Sequence, residues 1–415
     1  MKAIVNGTVY TPDDVIAPGV VLIEKGVITA VGPAGTTPVS PEAERIEADG
    51  TSVVPGLIDL HIHGLLGHDA IGPDLAHVIH DLPAFGVTAF LATTMTLPRD
   101  EILSGLGAMA KVLDTPPPGA QCLGIHLEGP FLSPAWPGMA TPEWFEPLAW
   151  ESFQAFQQAA RGYIRLLTFA PEVGEAMACI PRLIEAGVVP VIGHSDATFE
   201  QVAQAVRLGL SHATHTFNAM RPLHHREPGV VGAVMYFDEI VAELIADDVH
   251  VHPAVMALLL RVKGLERVAL ISDAAPLAGL PDGEYEWEHK PVFVRDGSCR
   301  LADGTIAGAH ALLDAGVRNL VNLVGLPLEQ ALAPATRVPA GVLGLRKGCL
   351  APGYDADVVL LDEALQPVLA IVEGEEVFHR QEHTDARDHT NHPPQSGPAR
   401  PARRAVRPDR QAVQL

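Results

Sequence analysis

The sequence contains few cysteines, and their spacing excludes two classes of site. Only four occur in 415 residues, at Cys122, Cys179, Cys299 and Cys349. No two of them form a Cys-X-X-Cys pair, so we expect neither a disulfide framework nor a thiolate metal site. Long apolar runs are also lacking, and the N-terminal residues include no apolar segment of signal-peptide length. These absences predict a soluble, cytoplasmic protein with free thiols and no membrane partner.

Basic residues are scarce as well. Asp and Glu number 50 against 28 Lys and Arg, which gives a formal net charge of −22. A surface of that sign repels nucleic acid and anionic membranes, so neither is an expected partner. An anionic substrate would have to be held by a few local cations.

Short β-prone runs occur near both ends of the chain. Residues 1–52 include AIVNGTVY and GVVLIEKGVITAVG, and residues 343–379 include DADVVLLD and PVLAIVEGEEVF. Alternating apolar residues between turn dipeptides are typical of hairpins. We therefore predict a small β-sandwich domain built from both chain ends. Residues 380–415 are rich in Pro, Arg and His with few large apolar side chains, which predicts a disordered tail, although its arginines could bind a partner.

The middle of the chain, residues 53–342, has a different pattern. Apolar, β-branched runs alternate there with helical patterns, and one helix begins with a capping box at Thr198 and Gln201. Eight runs are candidate strands: SVVPGLIDLHIH, TAFLATT, CLGIHLEG, IRLLTFAPE, VVPVIGHS, HATHTFNA, VAELIADDVHV and RVALISDA. Eight such units favour an α/β fold of the (β/α)₈ barrel type. An open, doubly wound sheet is the alternative.

Ionisable side chains stand where these candidate strands end. They are His61, His63, Glu128, His194, His215, Asp247, Asp248, His250 and Asp273. The carboxyl ends of barrel strands meet at one mouth, so these side chains should lie close together. Imidazole and carboxylate ligands suit Zn²⁺, Fe²⁺ or a similar divalent ion.

A His-X-His pair places two imidazoles on the same side of a strand, where both can reach one ion. Such a pair is weak evidence by itself in a chain with 19 histidines. The other strand-end ligands strengthen it. His77, His80, His289 and the tail histidines lack this placement, and we interpret them as ordinary surface residues.

A metal ion held at the mouth would polarise a water molecule and an amide carbonyl together. Hydrolysis also requires a group that takes a proton from the water and passes it to the departing nitrogen. Asp273 is the best candidate for this role. Its alternatives are a plain metal ligand or a helix cap.

Eight motifs, in order and with matching gaps, give a family resemblance. They are PGLIDLHIHG, GIHLEGPFL, GHSDAT, THTFNAMRPLHHREPG, IADDVHVHP, SDAAPLAGLPDGEY, DGTIAGA and GYDADVVLLD. Over roughly residues 1 to 378, the sequence resembles the N-acetylglucosamine-6-phosphate deacetylases of the amidohydrolase superfamily. The resemblance implies hydrolysis of N-acetyl-D-glucosamine 6-phosphate to D-glucosamine 6-phosphate and acetate by metal-activated water.

The resemblance also implies a role for each matching residue. The main metal ligands would be Glu128, His194 and His215, and His61 and His63 would bind a second ion, giving one or two divalent ions per subunit. Asp273 would be the general base and acid. The sugar phosphate would be held by Asn218, Ala219 and Arg226, while His250 would contact the sugar or its phosphate. Arg226 suits phosphate because a guanidinium can bind it with two parallel hydrogen bonds. A homodimer with phosphate contacts across the interface is expected.

One stretch departs from the family pattern. After LEGPF the family usually carries Gly-Ala-His or Gly-Thr-His, whose His helps to polarise the substrate carbonyl, but here Gly138 is followed by Met139 and Ala140. Loss of such a donor typically costs a factor of hundreds in rate. A second ion could replace it, the enzyme could be slow, or the substrate could be another N-acyl amino sugar, an N-acyl amino acid or a cyclic amide. A non-catalytic sugar-phosphate binder is the alternative from a different class.

Overall fold

The computed structural model describes residues 1–380, so the predicted disorder of the tail concerns a segment outside the described residues. The strands, in chain order, are β1 (Lys2–Tyr10), β2 (Val15–Glu24), β3 (Val27–Pro33), β4 (Glu44–Glu47), β5 (Ser52–Pro55), β6 (Leu57–Ile62), β7 (Gly64–Leu65), β8 (His68–Asp69), β9 (Val87–Thr93), β10 (Gln121–Glu128), β11 (Ile164–Phe169), β12 (Val189–Ile192), β13 (His212–Ala213), β14 (Val241–Ile245), β15 (Val268–Ile271), β16 (Gly283–Trp287), β17 (Lys290–Arg295), β18 (Ser298–Arg300), β19 (Ile306–Ala309), β20 (Val358–Leu361), β21 (Pro367–Val372) and β22 (Glu375–His379).

The α-helices lie mostly between the strands of the middle segment. They are α1 (Leu75–Asp81), α2 (Arg99–Leu113), α3 (Trp150–Ala159), α4 (Ala176–Glu185), α5 (Phe199–Arg207), α6 (Gly229–Tyr236), α7 (Pro253–Lys263), α8 (Leu313–Asn319), α9 (Leu328–Leu332) and α10 (Arg337–Val342). Within residues 1–380, none of these helices is both long enough and apolar enough to cross a membrane.

Eight parallel strands form the central barrel. Their order is β6, β9, β10, β11, β12, β13, β14 and β15, and helices α1 to α8 follow them in turn. The circle closes where the Asp273 amide donates to the His61 carbonyl at 2.9 Å and the His63 amide donates to the Ala274 carbonyl at 2.9 Å. The predicted (β/α)₈ barrel is therefore confirmed, and the open sheet is excluded.

The barrel strands have continuous apolar character because they are covered on both faces. Every residue of β6 and β9 is buried. Helix α5 shows the complementary pattern, since its apolar side packs on the barrel and its first turn is capped as predicted. The Thr198 hydroxyl accepts from the Gln201 amide at 3.3 Å, and the Gln201 side chain accepts from the Thr198 amide at 2.8 Å.

Strands from both chain ends form a second eight-stranded sheet, which confirms the predicted small β unit. Its order is β22, β21, β20, β5, β1, β2 and β3, with β4 paired to β1. Its own apolar core includes Ile4, Val21, Val53, Val358 and Ile371. The domain limits at residues 52/53 and 342/343 remain our proposal.

A four-stranded antiparallel sheet, β16 to β19, is inserted between β15 and α8. The sequence pattern did not predict it. Its first turn places Trp287 beside the barrel mouth, where the Trp287 and His63 rings lie 5.8 Å apart. The insertion thus supplies one wall of the site described next.

Candidate active site

Six of the ionisable side chains predicted at the strand ends converge at the barrel mouth, namely His61, His63, Glu128, His194, His215 and Asp273. His61 lies in β6, His63 follows it, and Glu128 is the last residue of β10. His194, His215 and Asp273 each come two residues after a strand, and all three have positive φ, at 46°, 24° and 52°. Non-glycine residues rarely adopt this backbone conformation, and such strain is concentrated at functional sites. The loops hold these three side chains toward the barrel axis.

One group of ligand atoms is formed by Glu128, His194 and His215. The His215 Nε2 atom lies 3.0 Å from Glu128 Oε1 and 3.2 Å from His194 Nε2, and His194 Nε2 lies 3.3 Å from Glu128 Oε1. All three residues are buried. Three ligand atoms thus face a common point.

A second group lies on the other side of Glu128. The Nε2 atoms of His61 and His63 are 3.2 Å apart, and Asp273 Oδ1 lies 3.1 Å from His63 Nε2 and 3.4 Å from His61 Nε2. Glu128 Oε2 is 3.4 Å from each of the two imidazoles. The carboxylate of Glu128 therefore joins the two groups, with one oxygen turned toward each.

These distances fit metal coordination. Two ligands bound at 2.0–2.1 Å to a tetrahedral ion lie roughly 3.3 Å apart, which is close to the separations within both groups. In each group two imidazole Nε2 atoms also face each other. An ion between them would accept the lone pairs of both nitrogens. The donor set fits Zn²⁺ and Fe²⁺ alike.

The electrostatics keep the carboxyl groups of this cluster ionised. Burial alone would raise the pKa of Asp273, but the hydrogen bond with His63 and the charges of His61 and His63 lower it to about 2. Burial likewise opposes ionisation of Glu128, and the neighbouring histidines hold its pKa well below the ordinary value. Both groups are therefore acceptors at neutral pH.

Glu243, in the middle of β14, supports the cluster from beneath and is fully buried. Its Oε2 accepts from the Thr214 hydroxyl at 2.9 Å and from the His215 amide at 3.2 Å, and it lies 3.3 Å from His61 Nδ1. Its Oε1 accepts from His212 Nε2 at 2.9 Å. A proton held on His61 Nδ1 leaves its Nε2 free for an ion.

Two further contacts orient the imidazoles. His194 Nδ1 donates to the Trp136 carbonyl at 2.9 Å, which leaves its Nε2 free. His126 is buried under His61, with ring centroids 4.7 Å apart. It contacts the Leu60 carbonyl through Nδ1 at 3.1 Å and the Thr168 hydroxyl through Nε2 at 2.7 Å. Sequence reasoning missed Glu243 and His126, although a lone ionisable residue inside an apolar strand was a usable signal.

A cavity of about 330 Å³ opens above the ligand atoms. Asn218, Ala219 and His250, the predicted substrate contacts, line it together with the cluster, and their substrate roles stay a prediction. The His250 imidazole is paired with Asp247, Nδ1 to Oδ2 at 2.7 Å. Burial lowers the pKa of His250, but the hydrogen bond and the charge of Asp247 outweigh burial and raise this pKa above the ordinary value. The Asp247 carboxylate thus favours the protonated form of the imidazole that lines the cavity.

The remaining predicted phosphate contact, Arg226, does not line this cavity. Its side chain is exposed, donates to His225 Nε2 at 2.8 Å, and borders a separate cavity with Thr198 and Phe199. Exposed Leu223 lies in the same loop, with 55 % of its surface accessible. Within one subunit, Arg226 is thus apart from the other predicted substrate residues.

The departure after LEGPF gives the cavity an apolar wall. Met139 and Ala140 are buried and line it, next to Met95 and Trp287. Gly138 has a φ of +60°, and a Cβ there would lie 3.0 Å from the His194 ring. Glycine is needed at this position so that the loop can pass close to His194.

Comparison with known proteins gives consistent results. Residues 52–379 match the model of the amidohydrolase family. The chain is 36% identical over 383 residues to N-acetylglucosamine-6-phosphate deacetylase of Bacillus subtilis (strain 168), covering 90% of this chain and 96% of that protein. It is 37% identical over 359 residues to N-acetylgalactosamine-6-phosphate deacetylase of Escherichia coli O157:H7, covering 85% and 93%.

Among solved structures, the chain resembles a mutant of N-acetyl-D-glucosamine-6-phosphate deacetylase from Mycobacterium smegmatis in complex with N-acetyl-D-glucosamine-6-phosphate. The TM-score is 0.85 at 33% sequence identity, with 91% of this chain and 99% of that chain covered.

Proposed function

The chain belongs to the amidohydrolase family, in its N-acetylglucosamine-6-phosphate deacetylase branch, and from that premise we propose that it hydrolyses N-acetyl-D-glucosamine 6-phosphate to D-glucosamine 6-phosphate and acetate. The convergence of four imidazoles and two carboxylates at the mouth of the barrel carries this proposal. A protein that only bound a sugar phosphate would not need this set of ligands together with Asp273.

The family depends on a divalent metal ion, and the ligands present suit one. We infer that Glu128, His194 and His215 would hold one ion, Zn²⁺ or Fe²⁺, and that His61 and His63, with Asp273 and the second oxygen of Glu128 beside them, would hold another. A bound ion supplies Lewis acidity, which polarises the amide carbonyl and lowers the pKa of water.

Asp273 is suited to move the proton. Its carboxylate would accept a proton from the water that attacks the amide carbonyl. The carbon–nitrogen bond then breaks, and the same carboxyl would return the proton to the departing amine. The water thus supplies the oxygen of acetate and, through Asp273, the hydrogen of the amino group.

The substrate phosphate needs cations, and the cavity of one subunit contains His250 beside Asn218 and Ala219. We propose that these residues hold the sugar phosphate and that Arg226 of the partner subunit completes the site. Exposed Leu223 beside Arg226, and exposed Tyr236 at the end of α6, give this face the apolar surface that a homodimer contact requires.

The test is release of glucosamine 6-phosphate from N-acetylglucosamine 6-phosphate by metal-replete protein. We expect turnover that falls by about 10²- to 10⁴-fold in Asp273→Asn, because proton transfer contributes that much. The metal content of the variant should be measured in parallel, since Asp273 lies against His61 and His63. Metal-loaded wild-type protein that releases no amino sugar would refute the proposal.

A related substrate is the second candidate, and the apolar wall at Met139 and Ala140 favours it. An apolar wall where the family carries a His could accept a different acyl group. A different sugar is the other possibility, since one relative is named N-acetylgalactosamine-6-phosphate deacetylase. A panel of N-acetyl, N-propionyl and N-butyryl glucosamine 6-phosphates and N-acetylgalactosamine 6-phosphate separates the candidates. A higher kcat/KM for any of the last three would transfer the assignment to it.

A further inference from the structure

A second set of metal-ligand side chains lies outside the active site. It consists of His68 in β8, Asp74 immediately before α1, and His77 in the first turn of α1. One ligand atom from each residue lies within 4.8 Å of the other two. Two imidazoles and a carboxylate are a common ligand set for Zn²⁺ in proteins.

The ligand atoms of His68 and Asp74 face each other across a distance too long for a good hydrogen bond. His68 Nδ1 is buried and has no hydrogen-bond partner within the described residues, and it lies 3.5 Å from Asp74 Oδ2. That separation is longer than a good hydrogen bond but close to the spacing of two ligands on one tetrahedral ion. Asp74 occupies the N-cap position of α1, yet its side chain makes no capping hydrogen bond. A cation between the two groups could bind both in place of this long contact.

His77 adds the third ligand from the same helix face as Asp74, because residues three apart are neighbours on a helix. Its ring stacks on His68, with centroids 4.2 Å apart and planes at 17°. Imidazole donates its lone pair in the plane of the ring, so His77 would have to turn out of the stack to bind. His77 is exposed, and the last torsion of a histidine has broad minima, so this turn costs little.

We propose that His68, Asp74 and His77 form a peripheral site for a divalent cation of the zinc class, separate from the ions of the active site. Water would complete the coordination, because Asp74 and His77 are open to solvent. The net charge of −22 favours cations near this surface.

The position of this site suggests a structural effect. His68 belongs to the β7–β8 hairpin that follows His63 directly, and the Ala70 amide donates to the His63 carbonyl at 2.7 Å. A cation shared by His68, Asp74 and His77 would tie this hairpin to α1. We therefore expect it to stiffen the segment behind His63 without contacting the substrate.

The experiment counts zinc in the full-length protein. Wild type, the double variant Asp74→Asn/His77→Gln and the control His80→Gln are saturated with Zn²⁺, gel-filtered, and measured for metal per chain and for kcat. His80 lies on the same helix, is exposed and is paired with Asp81, so it controls for loss of one surface imidazole. The tail histidines are present in all three proteins and cancel in the comparison.

We expect the double variant to contain one zinc fewer per chain than wild type, with kcat unchanged, and His80→Gln to match wild type. Titration of each metal-depleted protein with Zn²⁺ should show the same missing equivalent. Equal zinc in wild type and double variant would overturn the proposal, as would an equal loss in His80→Gln. A zinc loss accompanied by a proportional loss of kcat would also overturn it, because the lost ion would then be catalytic.

Discussion

At the scale of single residues, the pairing of His250 with Asp247 favours a protonated imidazole at the predicted phosphate subsite. Both side chains are 6% exposed, and Asp247 raises the pKa of His250 despite burial. The imidazolium form therefore persists to a pH above about 6.5, the ordinary pKa of histidine. It is lost only as pH rises through the raised pKa, and any stability it contributes is lost over the same range.

We predict that the KM for N-acetylglucosamine 6-phosphate rises by about tenfold on the alkaline side, since a hydrogen bond to a charged group is worth about 1.5–3 kcal/mol. The charge of the substrate phosphate does not change over this alkaline range, because its second pKa is about 6. In Asp247→Asn, burial lowers the pKa of His250 without the Asp247 carboxylate to oppose it. The rise in KM should therefore begin at a lower pH. KM measured against pH in both proteins is the check, and superimposable profiles would contradict it.

Glu243 is a residue whose importance can be measured through metal content. We predict that Glu243→Gln lowers metal affinity by about 10- to 100-fold, because it alters the support of both His61 and the His215 backbone. Competition with a chelator gives the affinity. Glu266→Gln, which removes an exposed carboxylate paired with Arg337, is the matched control. Equal chelator resistance in the two variants would exclude a supporting role for Glu243.

At the scale of secondary structure, the amino-acid pattern was sufficient for the eight barrel units. Continuous apolar runs predicted the strands because both faces are covered, and the polar residues at their ends predicted the cluster. Glu243 and His126 escaped notice because each is a single ionisable residue inside such a run. Whether a residue there points to the barrel axis or to the helices depends on strand register, which the pattern alone does not give.

The inserted sheet escaped prediction for another reason. Its first hairpin turns through Glu288 and His289, with φ of +52° and +59°, positions where Asn-Gly or Gly would be the usual signal. Glu288 is buried, both of its carboxylate oxygens lack a hydrogen-bond partner within the described residues, and burial raises its pKa to about 8. Such a turn has no sequence signature, so the wall formed by Trp287 could be found only in three dimensions.

The capping box of helix α5 can be tested for its contribution to stability. It begins at Thr198, four residues after His194. We predict that Thr198→Ala destabilises the protein by about 1 kcal/mol, because the Gln201 amide loses its acceptor. Thr198→Ser retains the hydroxyl and should be close to wild type. Urea unfolding of the three proteins measures the difference. A Thr198→Ala midpoint equal to that of Thr198→Ser would show that the cap contributes nothing.

At the scale of the whole molecule, Lys347 connects the end of the barrel segment to the strands of the C-terminal end. Its ammonium is 4% exposed and lies 2.8 Å from Asp357 and 2.9 Å from Asp355. Asp357 precedes β20 and also accepts from the Glu373 amide at 2.8 Å. One buried cation thus pairs with both carboxylates where these segments meet.

We predict that Lys347→Met lowers the free energy of unfolding by about 3–5 kcal/mol, because it leaves Asp357 buried without its counter-ion. Addition of Asp357→Asn should recover part of that loss, since the uncompensated charge is removed as well. Lys111→Met changes an exposed lysine of α2 and serves as the control. Denaturant unfolding measures the free energy of unfolding of each variant. A double variant less stable than Lys347→Met would refute the charge argument.

The assembly of two subunits gives the last prediction. Arg226 is exposed and apart from the cavity of its own subunit, so its proposed role requires the partner's cavity. Arg226→Ala and Asp273→Asn should each be impaired as homodimers. In a co-expressed heterodimer, the subunit carrying Arg226→Ala keeps Asp273 and receives an intact Arg226 from the other chain. We therefore expect activity to reappear in one of its two sites, measured as deacetylation by heterodimers purified with two different affinity tags. If Arg226 instead served its own subunit, neither site of the heterodimer would be complete and no activity would return.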